Sequence, residues 1–137
     1  MIYSVEVRIT APVRDTEIEA RVADAITNLF PGAEVESVDG ELRAETHTFE
    51  HFSELLHRRE ILDTARGEFF GTLSGDSFSF RAKKQPAFQG VVNFAVDEAG
   101  ELGDIHVHVR VNDPDVETFI DHVAPPTEDG RPVTDES

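Results

Sequence analysis

Cysteine is absent from the 137 residues, which excludes disulfides, a thiolate metal cage and a thiol nucleophile. Tryptophan is absent too, tyrosine occurs once, and lysine occurs only at Lys83 and Lys84, beside ten arginines. No apolar run approaches the roughly 20 residues of a membrane span, and no signal-peptide pattern opens the chain. Basic charge is scarce: 12 Lys and Arg stand against 28 Asp and Glu, a formal net charge of -16. That balance excludes a uniformly basic nucleic-acid binder. There is no Gly-x-Ser-x-Gly, no Gly-Lys-Ser/Thr phosphate loop and no Gly-x-Gly-x-x-Gly. Carboxylate pairs occur throughout so acidic a chain and single out no acid–base couple. The expectation is a cytoplasmic protein without catalytic activity or cofactor.

What is present suffices for a folded domain. Hydrophobic residues make up 39% of the chain, enough for a core. The acids are dispersed rather than gathered in a tail: Asp15, Glu17, Glu19 and Asp24, then Glu45, Glu50 and Glu54, then the C-terminal third. Dispersed carboxylates with little lysine fit a halophilic protein, because at 1 M salt the Debye length is about 3 Å and self-repulsion is screened.

Patterning divides the chain. Residues 2–10 alternate, with Tyr3, Val5, Val7 and Ile9 on one face, as in a half-buried strand. Asp15 or Thr16 can cap a helix carrying Ile18, Val22, Ala25, Ile26, Leu29 and Phe30, and Thr16 with Glu19 makes a capping box. Residues 33–38 and 41–47 flank Asp39-Gly40, a type I′ hairpin signal. Thr48 is expected to cap a helix with Phe49, Phe52, Leu55 and Leu56, continued by Ile61, Leu62, Ala65 and Phe69 as one bent helix or two. Residues 77–82, 91–96 and 104–111 read as strands. Asn112 or Asp113, followed by Pro114, opens a last helix with Val116, Phe119, Ile120 and Val123 buried. Strands with one apolar side predict an α+β two-layer sandwich: a mainly antiparallel sheet, helices on one face, water on the other. The expected limits are a domain over 1–124 and a mobile acidic, Pro-rich tail over 125–137.

Three blocks occur in order: Arg59-Glu60-Ile61-Leu62-Asp63-Thr64-Ala65-Arg66, Lys84-Gln85-Pro86-Ala87-Phe88-Gln89-Gly90-Val91-Val92-Asn93-Phe94, and Asn112-Asp113-Pro114 with Ala124-Pro125. They resemble the archaeal uncharacterised protein family 0201, over residues 3–133. The resemblance implies a fold like the large-subunit ribosomal protein that holds 5S RNA. It also implies kinship to proteins predicted to be RNA-binding exosome accessories, some relatives being fused to a kinase-like P-loop domain. It carries over no catalytic residue. Where the family pattern has Asn-Lys-Gln-Ala-Ala, this chain has Lys83-Lys84-Gln85-Pro86-Ala87, and Pro86 should stiffen that loop.

Two surfaces are candidates for RNA. Residues 58–84 hold Arg58, Arg59, Arg66, Arg81, Lys83 and Lys84 against four acids, +2 in a chain whose remainder is -18. Arginine clamps phosphate and stacks on bases, and the Lys83–Gly90 loop adds amides and the Phe88 ring. Arg59 and Arg66 also have Glu60 and Asp63 within reach on one helix surface. The wet sheet face would show Arg8, Arg81, Lys83, Asn93, His106, His108 and Arg110, with Glu6 as its clear acid. Lacking an aromatic platform, it suits the backbone of structured RNA better than base stacking; it would equally serve as a homodimer contact or a solvated face. The candidate RNA-binding set is Arg58, Arg81, Lys83, Lys84, Gln85, Phe88, Asn93 and Arg110. His106 and His108 share a strand face, but no carboxylate is placed beside them, so no metal site is expected. The implied function is an RNA-binding or ribonucleoprotein accessory domain; the alternatives are a homodimeric interaction module or an accessory to a kinase-like phosphotransfer enzyme. Neither a membrane nor a specific DNA sequence is an expected partner.

Overall fold

Alternation along the strands does become one-sided burial. The structure, a computed structural model, describes residues 3–96, 102–128 and 131–132. In β1 (Ser4–Pro12), Val5, Val7, Ile9 and Ala11 are buried. The same happens for Leu42 and Ala44 of β3 (Glu41–Thr46), for Phe78, Phe80 and Ala82 of β4 (Ser77–Lys83), and for Ile105, Val107, Val109 and Val111 of β5 (Asp104–Asp113). With β2 (Glu34–Val38) these make a five-stranded sheet of order β2-β3-β1-β5-β4, antiparallel at every pairing. The β2–β3 turn has positive φ at both Asp39 and Gly40, as a type I′ hairpin requires.

Helices α1 (Glu19–Leu29), α2 (Glu50–Arg58), α3 (Leu62–Gly71) and α5 (Val116–Val123) cover the apolar face. The α2–α3 stretch is two helices, broken at Glu60, which has φ 55°. Between the layers lies a phenylalanine cluster. The Phe49 ring lies 5.1–6.4 Å from the rings of Phe30, Phe52, Phe69, Phe78, Phe80 and Phe119, distances at which edge-to-face and offset pairs are favourable. The α+β two-layer architecture with helices on one face is therefore present.

Several local expectations are corrected. Residues 91–96 do not form a strand: one bridge joins Ala82 to Phe94, flanked by bonds from Lys83 N to Asn93 O and from Ala95 N to Arg81 O. The segment emerges from a turn, with Val91 N bonded back to Pro86 O, and reaches β4 too late to extend the ladder. Lys84–Ala87 is a short helix, α4. No side chain caps α1 or α2, whose N-cap positions are Ile18 and Phe49 rather than Thr16 and Thr48. The N-cap of α5 is Asp115, which accepts from Thr118 N at 2.7 Å; this bond holds the Asp115 carboxyl below its ordinary pKa. Within 125–137, Thr127–Glu128 (β6) and Arg131–Pro132 (β7) pair as two short strands; residues 129–130 and 133–137 lie outside the described residues.

Candidate nucleic-acid interface

Directly paired residues of an antiparallel sheet share a face, so the register lays out the uncovered side in rows. One row runs Glu34, Glu45, Arg8, His108, Ser79. The next runs Glu36, Arg43, Thr10, His106, Arg81, and a third brings Glu6, Arg110 and Ser77 together. The face is thus divided: Glu34, Glu36, Glu41 and Glu45 crowd the β2–β3 side around Arg43, whereas Arg8, Arg81, Lys83, Arg110 and both histidines lie over β1, β5 and β4.

Arg8 sits at the centre of this arrangement. It is exposed on the middle strand and makes no ion pair among the described residues. It lines three adjoining hollows. One, of about 500 Å³, also has Arg81, His106, His108 and Ser79 in its wall, with Glu68 and the 60% exposed Val96 at its lip. A second, of about 260 Å³, is bounded by Glu6, Asp76, His108 and Arg110. The third, of about 510 Å³, opens on the acidic side by Glu34, Glu36 and Glu45. In the sequence Arg8 is one wet-face cation among several; its central strand position, which follows from the sheet order, is what distinguishes it.

The candidate residues do not converge on one patch. Arg58 lies on the helical layer, in a hollow with Glu50, Glu54, His57 and His122, on the opposite side of the sheet from Arg81 and Lys83. Lys84 points inward: its side chain is 3% exposed, pairs with Glu17 Oε1 at 2.8 Å, and donates to the carbonyls of Pro12 and Leu102. A buried ammonium with three acceptors is a structural tie, so Lys84 leaves the ligand set. Phe88 packs half-buried against the core beneath Arg21, 5.4 Å from its ring, and is no free stacking platform. The amides after Lys84 are used internally, with Phe88 N bonded to Lys84 O, Gln89 N to Pro86 O and Gly90 N to Ala87 O. Gln85 is exposed on α4, and the Ala82–Phe94 bridge sets exposed Asn93 beside exposed Lys83.

The basic run over 58–84 is therefore split and partly neutralised. Arg66 pairs with Asp121 at 2.7 Å, rather than with Glu60 or Asp63, and lies over the Phe70 ring. Arg81 pairs with Asp104 at 2.9 Å, and Arg110 with Asp76 at 3.3 Å. The Asp76 carboxyl is held below its ordinary pKa, first by the Ser77 hydroxyl and then by Arg110. The Arg110 pair is over half exposed on both sides and is of the kind that exchanges readily with another anion.

The chain has close relatives among known proteins. A family model described as RNA binding matches residues 6–112. The UPF0200/UPF0201 protein of Archaeoglobus fulgidus is 40% identical over 131 residues, 95% of this chain; this chain spans 40% of that longer protein. The crystal structure of the UPF0201 protein from Methanococcus jannaschii, 33% identical, superposes with a TM-score of 0.87 over 94% of this chain and 99% of the other. A crystal structure of another UPF0201 protein, 39% identical, gives 0.83 over 93% and 99%.

Proposed function

Because the chain belongs to the UPF0201 family and matches the model described as RNA binding, we propose that it is a non-catalytic RNA-binding accessory domain and that RNA lies over β1, β5 and β4. The observation that carries this reading is Arg8, an unpaired guanidinium among the described residues, set where three hollows meet. Arg81 and Arg110 share hollows with it, while Lys83 and Asn93 extend the strip along the end of β4 and Gln85 stands at the margin. The acidic β2–β3 half repels a polyanion and confines it to the other three strands. With no exposed aromatic among the described residues of the strip, the contact is to phosphate and sugar, which position a nucleic acid without reading its sequence. The reading extends to a ribosomal-protein-like fold and a cytoplasmic setting.

Crosslinking to total RNA tests this, and the expected adducts fall in β1, β4 and β5. Arg8→Ala is expected to weaken binding about tenfold across sequences and to lower the salt slope by about one. Adducts confined to α2 around Arg58 would overturn the placement. The same face read as a homodimer contact makes the opposite demand: a stable dimer in light scattering that dissociates in Arg8→Ala.

We further infer a halophilic setting from the dispersed acid. Stability in 2 M KCl should exceed that in 0.1 M KCl by about 1 kcal/mol or more, several degrees in Tm. Equal melting in both would remove this inference.

A further inference from the structure

Resting on the RNA reading above, we propose that the hollow walled by Arg8, Arg81, His106 and His108 is a phosphodiester subsite, and that its two imidazoles must be protonated to hold the phosphate.

The six histidines divide cleanly by environment. His47 bonds to Val5 O, His51 to Asn28 O and His57 to Ser53 O. His122 faces Glu50 and stacks on Tyr3. His106 and His108 make no hydrogen bond or ion pair among the described residues, stand exposed two positions apart on β5, and share one hollow with two guanidinium groups. No group of His, Asp and Glu among the described residues is placed to hold a metal ion.

Every element around them contributes to the charge they feel. Thr10 and Arg8 of β1 lie directly across from His106 and His108 respectively; Arg81 and Ser79 of β4 lie on the other side. On β5 itself Asp104 and Arg110 flank the pair. Glu68 of α3 reaches the same hollow, while Glu6 and Asp76 line the adjoining one with His108. Beyond β1, Glu45 faces Arg8 and Arg43 faces Thr10. Among the described residues on and beside β1, β5 and β4 the fixed charges balance: Arg8, Arg81, Lys83 and Arg110 against Glu6, Asp76, Asp104 and Glu68. Among these described groups the imidazoles tip the balance, adding two positive charges when protonated. Imidazolium presents two N–H donors and neutral imidazole one. A phosphodiester oxygen gains a charge-assisted bond from each ring, beside Arg8 and the Ser79 and Thr10 hydroxyls.

Binding that requires both rings charged takes up protons, so affinity falls as pH rises. Anisotropy of a fluorescein-labelled RNA hairpin with a ten-base-pair stem, at one fixed KCl concentration where the protein is folded by circular dichroism, reads this out. The wild type is expected to lose about tenfold in affinity between pH 6 and pH 8. H106Q/H108Q should be flat with pH and as weak as the wild type at pH 8. Arg8→Gln should be weaker at every pH while keeping the slope, and H57Q should behave as the wild type. RNA binding with a pH-flat wild-type profile, or an H106Q/H108Q profile like the wild type, overturns the subsite and leaves the RNA reading intact. Absence of RNA binding at every pH overturns the RNA reading, and the subsite with it. Displacement of the RNA by micromolar inorganic phosphate or ATP overturns an RNA backbone as the occupant.

Discussion

Lys84→Met should destabilise the protein by about 3–5 kcal/mol, a large part of the roughly 5–15 kcal/mol available to such a domain. The ammonium joins four parts of the chain: α4, the end of β1 through Pro12 O, the approach to α1 through Glu17, and the approach to β5 through Leu102 O. Removing it leaves a carboxylate whose side chain is 6% exposed, with Arg14 N at 2.9 Å as its remaining donor among the described residues. Its Oε2 atom has no partner there even now. Charge left alone in the interior is what makes breaking such a pair costly. Glu17→Met with Lys84→Met removes both charges and should recover much of the loss. Urea denaturation of the two variants decides the point. A single-variant loss below about 1 kcal/mol would mean that the ammonium is not held as described.

Phe69→Ala should cost about 3–5 kcal/mol through lost transfer energy and the void left behind. Phe69 is fully buried on α3, 4.6 Å from the Phe78 ring and 5.1 Å from that of Phe80, so it locks the helical layer to β4. Its neighbour Phe70 is 36% exposed and touches the side chain of Arg66, 4.8 Å from its ring. Phe70→Ala should cost under about 1 kcal/mol. Thermal or urea unfolding of the pair provides an internal control: equal losses at adjacent residues would contradict the burial pattern.

Within the sheet, legibility followed periodicity. The alternation of Val5, Val7, Ile9 and of Ile105, Val107, Val109 could be read because one apolar side must face the core. Asp39-Gly40 could be read because few dipeptides accept two positive φ values. The segment 91–96 misled for the same reason: Val92 and Phe94 are buried, but Ala95 is buried too and Val96 is 60% exposed, so the alternation ends at the single bridge. Caps failed where Thr16 and Thr48 offered good chemistry one or two residues too early. Such offsets depend on how the chain enters a helix from the preceding strand, which local sequence does not fix.

Composition and period were enough to determine an α+β sandwich with an acidic coat, an apolar side to each long strand and a bare face opposite the helices. Those properties are local or additive, so each residue states its share. Tertiary structure alone decided which cations meet. Two adjacent lysines diverge, Lys83 outward and Lys84 into a buried pair with a residue 67 positions away. Arg58 and Arg81 separate onto opposite layers, while Arg8, His106 and His108, distant in sequence, become neighbours through β1–β5 pairing. Charge density along a chain says nothing of this, because electrostatic energy depends on distances through space, and strand order sets those distances.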